Sequence, residues 1–340
     1  MFSKVKNDSY IIAEIGQNHQ GDLDTARRYI KTFADLGANA VKFQTRDNKY
    51  LFSEEAYAKP YNSPTSFAAT YGEHREKLEL SKDSLTILKK DCQEYGVDFM
   101  STPFDEPSLD FLIKIDVDIL KIASFDLGNL PFIDRIARTK KPIVMSIGGG
   151  NNEQIEASIE VIAHYHKDLA ILHCVSEYPC EFDRLGLDNI KNLIKKYPEF
   201  SIGSSDHFNG TMSGPIAYML GAKIFEKHVT FNRASKGTDH SFALEPDGFR
   251  KFVRDIKRVP KMMPQKNDDT LGKEYVFQKL GKSIIAHHDL HANSKITLND
   301  LSGKIFQETY IPVRESKDIL GKKLVRDIKK GMPIKIDDFK

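Results

Sequence analysis

The chain has almost no net charge: its 340 residues carry 50 Lys and Arg against 48 Asp and Glu, a formal charge of +2. Because those charges are spread throughout, there is no basic field for nucleic acid and no acidic tail. Cysteine is scarce as well. Cys92, Cys174 and Cys180 are irregularly spaced, which excludes a disulfide framework and a thiolate metal site. Cys174 ends an apolar run and reads as a buried free thiol. No apolar run reaches membrane-spanning length, and the opening M-F-S-K-V-K-N-D lacks an apolar signal region. No G-x-G-x-x-G follows the first apolar run, and there is no Walker-type loop. These absences predict a soluble protein of a reducing, cytoplasmic compartment, with neither nucleic acid nor membrane as partner. Its length suffices for one large domain and a small one.

What is present is a repeated alternation. Short β-branched or apolar runs at residues 10–15, 40–44, 98–101, 119–122, 143–146, 169–173, 201–203 and 224–229 read as strands. Amphipathic segments such as 23–36, 84–95, 152–165 and 187–196 lie between them. Such a series, over about 250 residues, matches an α/β fold of the (β/α)₈ TIM-barrel type. A doubly wound open sheet is the competitor, and the missing dinucleotide fingerprint leaves it without support. After Val259 the texture changes. Two prolines and an N-D-D run mark residues 260–279 as a linker, and residues 280–340 read as a small, mainly-β module of short strands. Residues 1–259 are then the catalytic barrel.

In a barrel of this kind chemistry gathers at the C-terminal ends of the strands. Every expected strand end here carries polar groups: Glu14; Lys42 and Gln44; Ser101 and Thr102; Lys121, Ser124 and Asp126; Ser146; His173, Ser176 and Tyr178; Ser205, Asp206 and His207; Glu226 and His228. Polar groups buried without partners are costly, so a barrel selected for stability alone would not need them. His207 and His228 follow neighbouring strands and could converge on one divalent cation with positions left open for substrate oxygens. Either could equally be a hydrogen-bonded core residue. Lys42 and Lys121 sit inside strand-like runs, V-K-F-Q and L-K-I-A. Each could pair with a nearby carboxylate, or, with the hydroxyls of Thr102, Ser124, Ser146, Ser176 and Ser205, hold a phosphate or carboxylate. Residues 46–80 form a long insertion after the second strand and suggest a lid or a subunit contact. Within it His74 and Arg75 could reach a substrate, but facing solvent is the favoured expectation for both. His287, His288 and His291 lack ligand spacing and read as surface residues.

Several blocks, in order, resemble the sialic acid synthase family: I-I-A-E-I-G-Q-N-H-Q-G-D at 11–22, V-K-F-Q-T at 41–45, S-T-P-F-D at 101–105, L-K-I-A-S at 120–124, H-C-V-S-E-Y-P at 173–179, S-S-D-H at 204–207, E-K-H at 226–228 and K-G-T-D-H-S-F-A-L-E-P at 236–246. The module from L-G-K-S-I-I-A to G-M-P-I-K resembles that family's antifreeze-like (SAF) domain, so the likeness spans nearly the whole chain. It implies an enzyme that condenses phosphoenolpyruvate with an N-acetylated hexose in its open aldehyde form, giving a nine-carbon 2-keto acid and phosphate. The hexose could be N-acetylmannosamine, its 6-phosphate or a diacetamido-dideoxy hexose. The resemblance assigns a divalent metal, Mn²⁺ first with Mg²⁺ or Co²⁺ as alternatives, to His207 and His228. It assigns phosphoenolpyruvate to Lys42, Thr102, Lys121, Ser124, Ser146, Ser176 and Ser205. Glu14, Gln44, Asp126, Tyr178 and Asp239 match positions that meet the sugar and handle protons or water, with Glu14 the first choice for acid–base work. It also implies a domain-swapped homodimer in which the C-terminal module caps the partner's barrel.

The chain departs from the family's pattern in three places. G-S-G-E becomes A-S-F-D at 123–126, S-T-G becomes S-I-G at 146–148, and K-I-F-Q-E-T-Y-I-P at 304–312 lacks the Arg of R-P-G-x-G. Two competing readings are a catalytically silent sugar-binding component of a surface-glycan pathway and a sister synthase making a deoxy-keto sugar acid. The lysines and histidines argue against the first, and the antifreeze-like module against the second.

Overall fold

A computed structural model describes residues 1–2, 9–265 and 272–340. Part of the expected linker, 266–271, and most of the opening octapeptide, 3–8, lie outside the described residues. The chain forms two compact units, Met1–Met263 and Pro264–Lys340.

In the first unit the expected runs become strands β1 (Tyr10–Gly16), β2 (Ala40–Thr45), β3 (Asp98–Pro103), β4 (Ile119–Ile122), β5 (Ile143–Ser146), β6 (Leu169–Cys174), β7 (Ser201–Asp206) and β8 (Ile224–His228). They pair in chain order and close into a barrel, with β8 parallel to β1. The expected TIM barrel is borne out. Strand β7 runs past Gly203 because polar Ser205 and Asp206 still pair with Glu226 and Lys227 of β8. Around the barrel lie α1 (Leu23–Asp35), the short α2 (Asn48–Leu51), α3 (Glu54–Ala58) and α4 (Tyr71–Glu76), then α5 (Lys82–Glu94), α6 (Glu106–Lys114), α7 (Leu130–Arg138), α8 (Asn152–Tyr165), α9 (Asn189–Lys196), α10 (Ser213–Met219) and α11 (Pro246–Met262). Local chemistry sets their bounds. Asp22 caps α1 by accepting from the Thr25 N–H at 2.7 Å, and Ala26, Tyr29, Ile30 and Phe33 form its buried stripe. Pro260 lies in the last turn of α11, so the expected linker begins as helix. Its missing N–H removes one bond of the ladder near an end that frays in any case.

Two core layers follow from the period-two alternation of the strands. One set of side chains packs between barrel and helices, including Ile11, Val41, Phe43, Phe99, Ile122, Met145, Ile171 and Phe225. The other fills the barrel's interior: Tyr10, Ile12, Ala40, Met100, Ile119, Val144, Ala170, Leu172 and Ile224, with Phe2 packed among them. The apolar filling belongs to the earlier part of each strand. Further along, the same inward positions become Glu14, Lys42, Thr102, Lys121, Ser146, Ser205, Glu226 and His228.

The second unit holds α12 (Tyr275–Leu280) and an antiparallel pair, β9 (Ser283–Ala286) and β10 (Leu301–Lys304). The other expected strands, around residues 295–298, 318–324 and 332–336, contribute single bridges, such as Lys295 to Lys323 and Leu324 to Phe339. Left-handed turns at Asn293, Gly321 and Gly331 break them up. Ile284, Leu290, Ile296, Ile319, Leu324, Ile328 and Ile334 make this unit's own core. Among the described residues no helix is long and apolar enough to cross a membrane.

Gly203 shows how tightly the barrel's interior is filled. A Cβ there would lie 2.2 Å from the Ile224 carbonyl oxygen and 2.5 Å from Leu172 Cδ2. Gly203→Ala is therefore expected to destabilise the protein by about 1–3 kcal/mol. Denaturant melts of the two proteins check this; equal midpoints and slopes would show that the interior yields at this level.

Candidate active site

The barrel mouth opens into a cavity of about 630 Å³. Its floor is a cluster of buried charges. Lys42 Nζ lies 2.8 Å from Glu14 Oε2 and 3.6 Å from Glu226 Oε1, and Lys121 Nζ lies 3.6 Å from Glu226 Oε2. Gln44 donates to Glu14 Oε1 at 2.9 Å, and Ser205 donates to Glu226 Oε1 at 3.2 Å. Strand register explains the grouping: Glu14 of β1 is flanked by Lys42 on one side and His228 on the other.

These environments separate the four groups. Burial raises the pKa of Glu14 and the Glu226 charge adds to it, with Lys42 opposing both. Burial also favours neutral Glu226, but Lys121 and Lys42 outweigh it and hold that carboxylate ionised. Lys42 is desolvated too, yet Glu14 and Glu226 keep its pKa above the ordinary value. Lys121 has only the longer contact, and burial lowers its pKa. Lys121 is thus the less completely paired cation. In the same cavity the Ser146 hydroxyl is buried without a hydrogen-bond partner, and Ser124 Oγ accepts from the Gly148 N–H at 3.0 Å.

The two histidines stand together on the wall, ring centroids 5.4 Å apart, with Tyr178 4.0 Å from His207 and Phe242 5.0 Å from His228. Burial pushes His207 down to about 4 and lowers His228 as well. Both rings are neutral at pH 7 and keep a lone pair. His207 Nδ1 lies 2.8 Å from the Val175 carbonyl oxygen. A carbonyl only accepts, so Nδ1 carries the proton and Nε2 is free to ligate. His228 Nδ1 has no hydrogen-bond partner and lies 3.9 Å from Asp239 Oδ2. This donor set fits a divalent cation. Among the described residues no group of three or more His, Cys, Asp or Glu side chains is arranged to hold an ion. The two imidazoles would therefore need substrate or water oxygens to complete a shell.

Of the expected site residues, Glu14, Lys42, Gln44, Thr102, Lys121, Ser124, Asp126, Ser146, Tyr178, Ser205, His207, His228 and Asp239 all line this one cavity. Ser176 does not: it is exposed on the loop after β6, beside Gly148. Three other expected mouth residues find partners away from the cavity, because alternation points them outward. Ser101 bonds Thr45 at 2.8 Å, His173 Nε2 lies 2.7 Å from the Leu185 carbonyl oxygen, and Asp206 pairs with Lys227. The insertion also corrects an expectation. His74 is buried at its centre, its ring 4.6 Å from Tyr61 and 5.8 Å from Phe67, and Nδ1 accepts from the Phe67 N–H at 3.1 Å. Arg75 lines the cavity rather than facing away from it.

Glu226 was placed at a strand end by sequence but given no role; its position two before His228 puts both on one face of β8. Arg46, Gln17 and Thr238 also line the cavity; Gln17 and Thr238 lie inside the motif blocks at 11–22 and 236–246 but had no role assigned, and Arg46 directly follows the block at 41–45.

The profile of the NeuB family matches residues 29–268. The N-acetylneuraminate-9-phosphate synthase of Mus musculus is 34% identical over 321 residues, covering 94% of this chain and 89% of the mouse protein. The N,N'-diacetyllegionaminic acid synthase of Legionella pneumophila is 31% identical, covering 95% of this chain and 92% of its own. Among solved structures, the N-acetylneuraminic acid (sialic acid) synthetase of Leptospira borgpetersenii superposes with a TM-score of 0.70 at 32% identity, over 81% of this chain and 93% of that one. The likeness read from the ordered motifs is borne out.

Behind the histidine wall lies a second buried pair. Lys227, fully buried, donates to Asp206 Oδ2 at 2.8 Å and also to the Phe208 carbonyl, while Asp206 accepts from Ser213 and, at 2.7 Å, from the Phe208 N–H. Asp206 precedes His207 and Lys227 precedes His228, so the pair ties together the two strand ends that present the imidazoles. Asp206→Asn would leave the Lys227 charge buried without a counter-charge, with an expected loss of about 3 kcal/mol or more. Adding Lys227→Met should recover part of that loss in denaturant melts. An unaltered melt for the single variant would show that the pair contributes nothing.

Proposed function

The chain belongs to the NeuB family, and from that premise we propose that it condenses phosphoenolpyruvate with the aldehyde form of an N-acetylated hexose, giving a nine-carbon 2-keto sugar acid and inorganic phosphate. The observation that carries this reading is the meeting, in one cavity, of two buried lysines with two neutral histidines. Lys42 and Lys121, with the hydroxyls of Thr102, Ser124, Ser146 and Ser205, supply donors for the carboxylate and phosphate of phosphoenolpyruvate. Lys121 and Ser146 are the least satisfied of these before substrate arrives, and bound anion oxygens would complete them. Ser176 stands with this set by resemblance alone.

His207 and His228 would hold the divalent ion, Mn²⁺ by preference. When bound, the ion would supply a Lewis acid for the sugar's carbonyl oxygen. Carbon–carbon bond formation joins C3 of phosphoenolpyruvate to the aldehyde carbon, water adds at C2, and cleavage of the C–O bond releases phosphate and leaves the 2-keto group. Glu14 is suited to move the protons: burial keeps its carboxyl within reach of neutral pH, and Gln44 orients it. Asp239, beside His228, and Asp126 and Tyr178, on the cavity wall, would face the sugar.

We also propose a homodimer in which each C-terminal unit, as an antifreeze-like domain, caps the partner's barrel. Its exposed Tyr275, Val276, Phe277 and Leu280 supply apolar surface for such a contact. A solution mass of a single chain at micromolar concentration would count against it. The three cysteines are all free and buried, in keeping with the cytoplasm as the place of this chemistry.

Phosphate release is the decisive assay, with phosphoenolpyruvate, Mn²⁺ and a panel of N-acetylmannosamine, its 6-phosphate and a diacetamido-dideoxy hexose. We expect chelator-sensitive release with one of these sugars, cut about a hundred-fold or more by His207→Ala or His228→Ala. Full release by both variants would sink the reading.

A further inference from the structure

The proposed reaction uses the lysine floor and the histidine wall of the cavity and leaves its outer wall unused. That wall carries two arginines. Arg46 follows the end of β2, and Arg75 sits in α4 of the insertion; both line the same cavity as the lysines and histidines. Arg46 is largely buried. Its guanidinium lies 3.7 Å above the Phe104 ring, and it donates to Glu79 Oε1 at 3.1 Å and to Gln44 Oε1 at 2.6 Å. Arg75 donates to Gln17 Oε1 at 3.0 Å, and Gln17 donates to Gln44 Oε1 at 3.1 Å. Gln44 in turn donates to Glu14. A chain of amides therefore runs from the carboxylate at the reacting end out to both arginines.

The outer wall has donors to spare. Arg75 Nε is buried with no hydrogen-bond partner, a costly state for a charged group. Arg46 feels the neighbouring Arg75 charge: burial and that charge together lower its pKa to about 10, with Glu79 and Asp239 opposing. Glu79 is the carboxylate in direct contact with Arg46. Two neighbouring forks, one with an idle donor, match a group that offers several anionic oxygens at one point. A sugar hydroxyl would satisfy one donor and bring no charge to either guanidinium. An apolar methyl group would satisfy none.

We propose that Arg46 and Arg75 form a second anion subsite, which holds a phosphate on the carbon of the hexose farthest from its aldehyde. This inference rests on the proposed condensation and narrows its sugar to the class of N-acylated hexosamine 6-phosphates. The lysine floor takes the phosphate that leaves; the arginine wall takes one that stays. Gln17 and Gln44 are positioning residues here, setting the two forks relative to Glu14.

The test is steady-state phosphate release by the full chain with phosphoenolpyruvate and Mn²⁺, using N-acetylmannosamine and its 6-phosphate as the two sugars. The wild-type protein is expected to prefer the phosphorylated sugar in kcat/KM. Arg75→Ala should lower the ratio of the two kcat/KM values by about ten-fold or more, chiefly through the KM of the phosphorylated sugar. Arg75→Lys, which keeps the charge without the fork, should fall between. Thermal melts of each variant establish that it is folded. If the variant does not fold, stabilisation of the wild-type melt by the sugar phosphate, against none by the unphosphorylated sugar, decides in favour. Equal use of both sugars, or an unchanged ratio in Arg75→Ala, would overturn the subsite while leaving the condensation standing. Release with neither sugar from folded, metal-loaded protein would overturn the condensation and this inference with it.

Discussion

Four charges buried at the top of the barrel govern the rest. Lys42, Lys121, Glu14 and Glu226 are each nearly inaccessible to solvent, and any one of them alone would be prohibitively costly there. They are tolerated because each cation faces a carboxylate. The arrangement is uneven, however. Lys42 has a close partner in Glu14, whereas Lys121 shares Glu226 at 3.6 Å. An arriving anion that approaches Lys121 and the idle Ser146 hydroxyl therefore improves an existing arrangement instead of creating a new one. Such a site is organised before the ligand comes, and little ordering remains to be done on binding.

The strand alternation that makes this possible also separates two kinds of charge. Strand β8 sends Ile224, Glu226 and His228 into the barrel and Phe225 and Lys227 away from it. Its inward Glu226 and His228 line the cavity, and its outward Lys227 meets Asp206 from β7. A slip of one residue would exchange the two sets and destroy both. The mouth needs a further adjustment where β1 ends. Pairing with β2 shifts between Glu14 and Gly16, and Gly16 adopts φ +56°, where a side chain would be strained. A Cβ at Gly16 would also approach Glu14 Oε1 to 3.2 Å and Gln44 Nε2 to 3.4 Å. That glycine lets the Glu14 carboxylate and its amide partner Gln44 sit side by side.

Much of this was legible in the sequence, for identifiable reasons. Strand positions could be read because short β-branched runs alternate with amphipathic segments, and the helix at 152–165 agrees at both ends with α8, its start marked by the capping box of Asn151 and Gln154. Lys42 and Lys121 stood out because a charge inside an apolar run demands an explanation. What could not be read was which side of the wall a strand-end residue faces once its strand continues further than expected. Ser101, His173 and Asp206 were counted at the mouth and turn out to serve the outer layer. His74 was misjudged for a different reason. Of the rings that bury it, Tyr61 and Phe67 come from an irregular stretch with no sequence period, and Tyr71 opens the short α4 that carries His74 itself. Arg46 and Arg75 were obscured likewise, since their approach to the barrel depends on that same insertion.

The departures from the family's pattern take on meaning in this setting. Ile147, which replaces a hydroxyl residue, packs in the layer between barrel and helices, so the change costs the cavity no donor. Phe125 is different. It is 71% exposed, and its ring stacks on Phe104 at 5.6 Å, the same ring that carries the Arg46 guanidinium on its face. The stack of Phe125, Phe104 and Arg46 gives that guanidinium a flat support, and Glu79 and Gln44 fix its donors. A planar cation held on one face by an aromatic ring and at its edge by acceptors loses little freedom when a phosphate binds. Asp126, next to Phe125, lines the same cavity, and burial raises its pKa, with the Asn129 hydrogen bond opposing. Of the departures, Phe125 thus belongs physically to the arginine wall, through the Phe104 ring that it shares with Arg46.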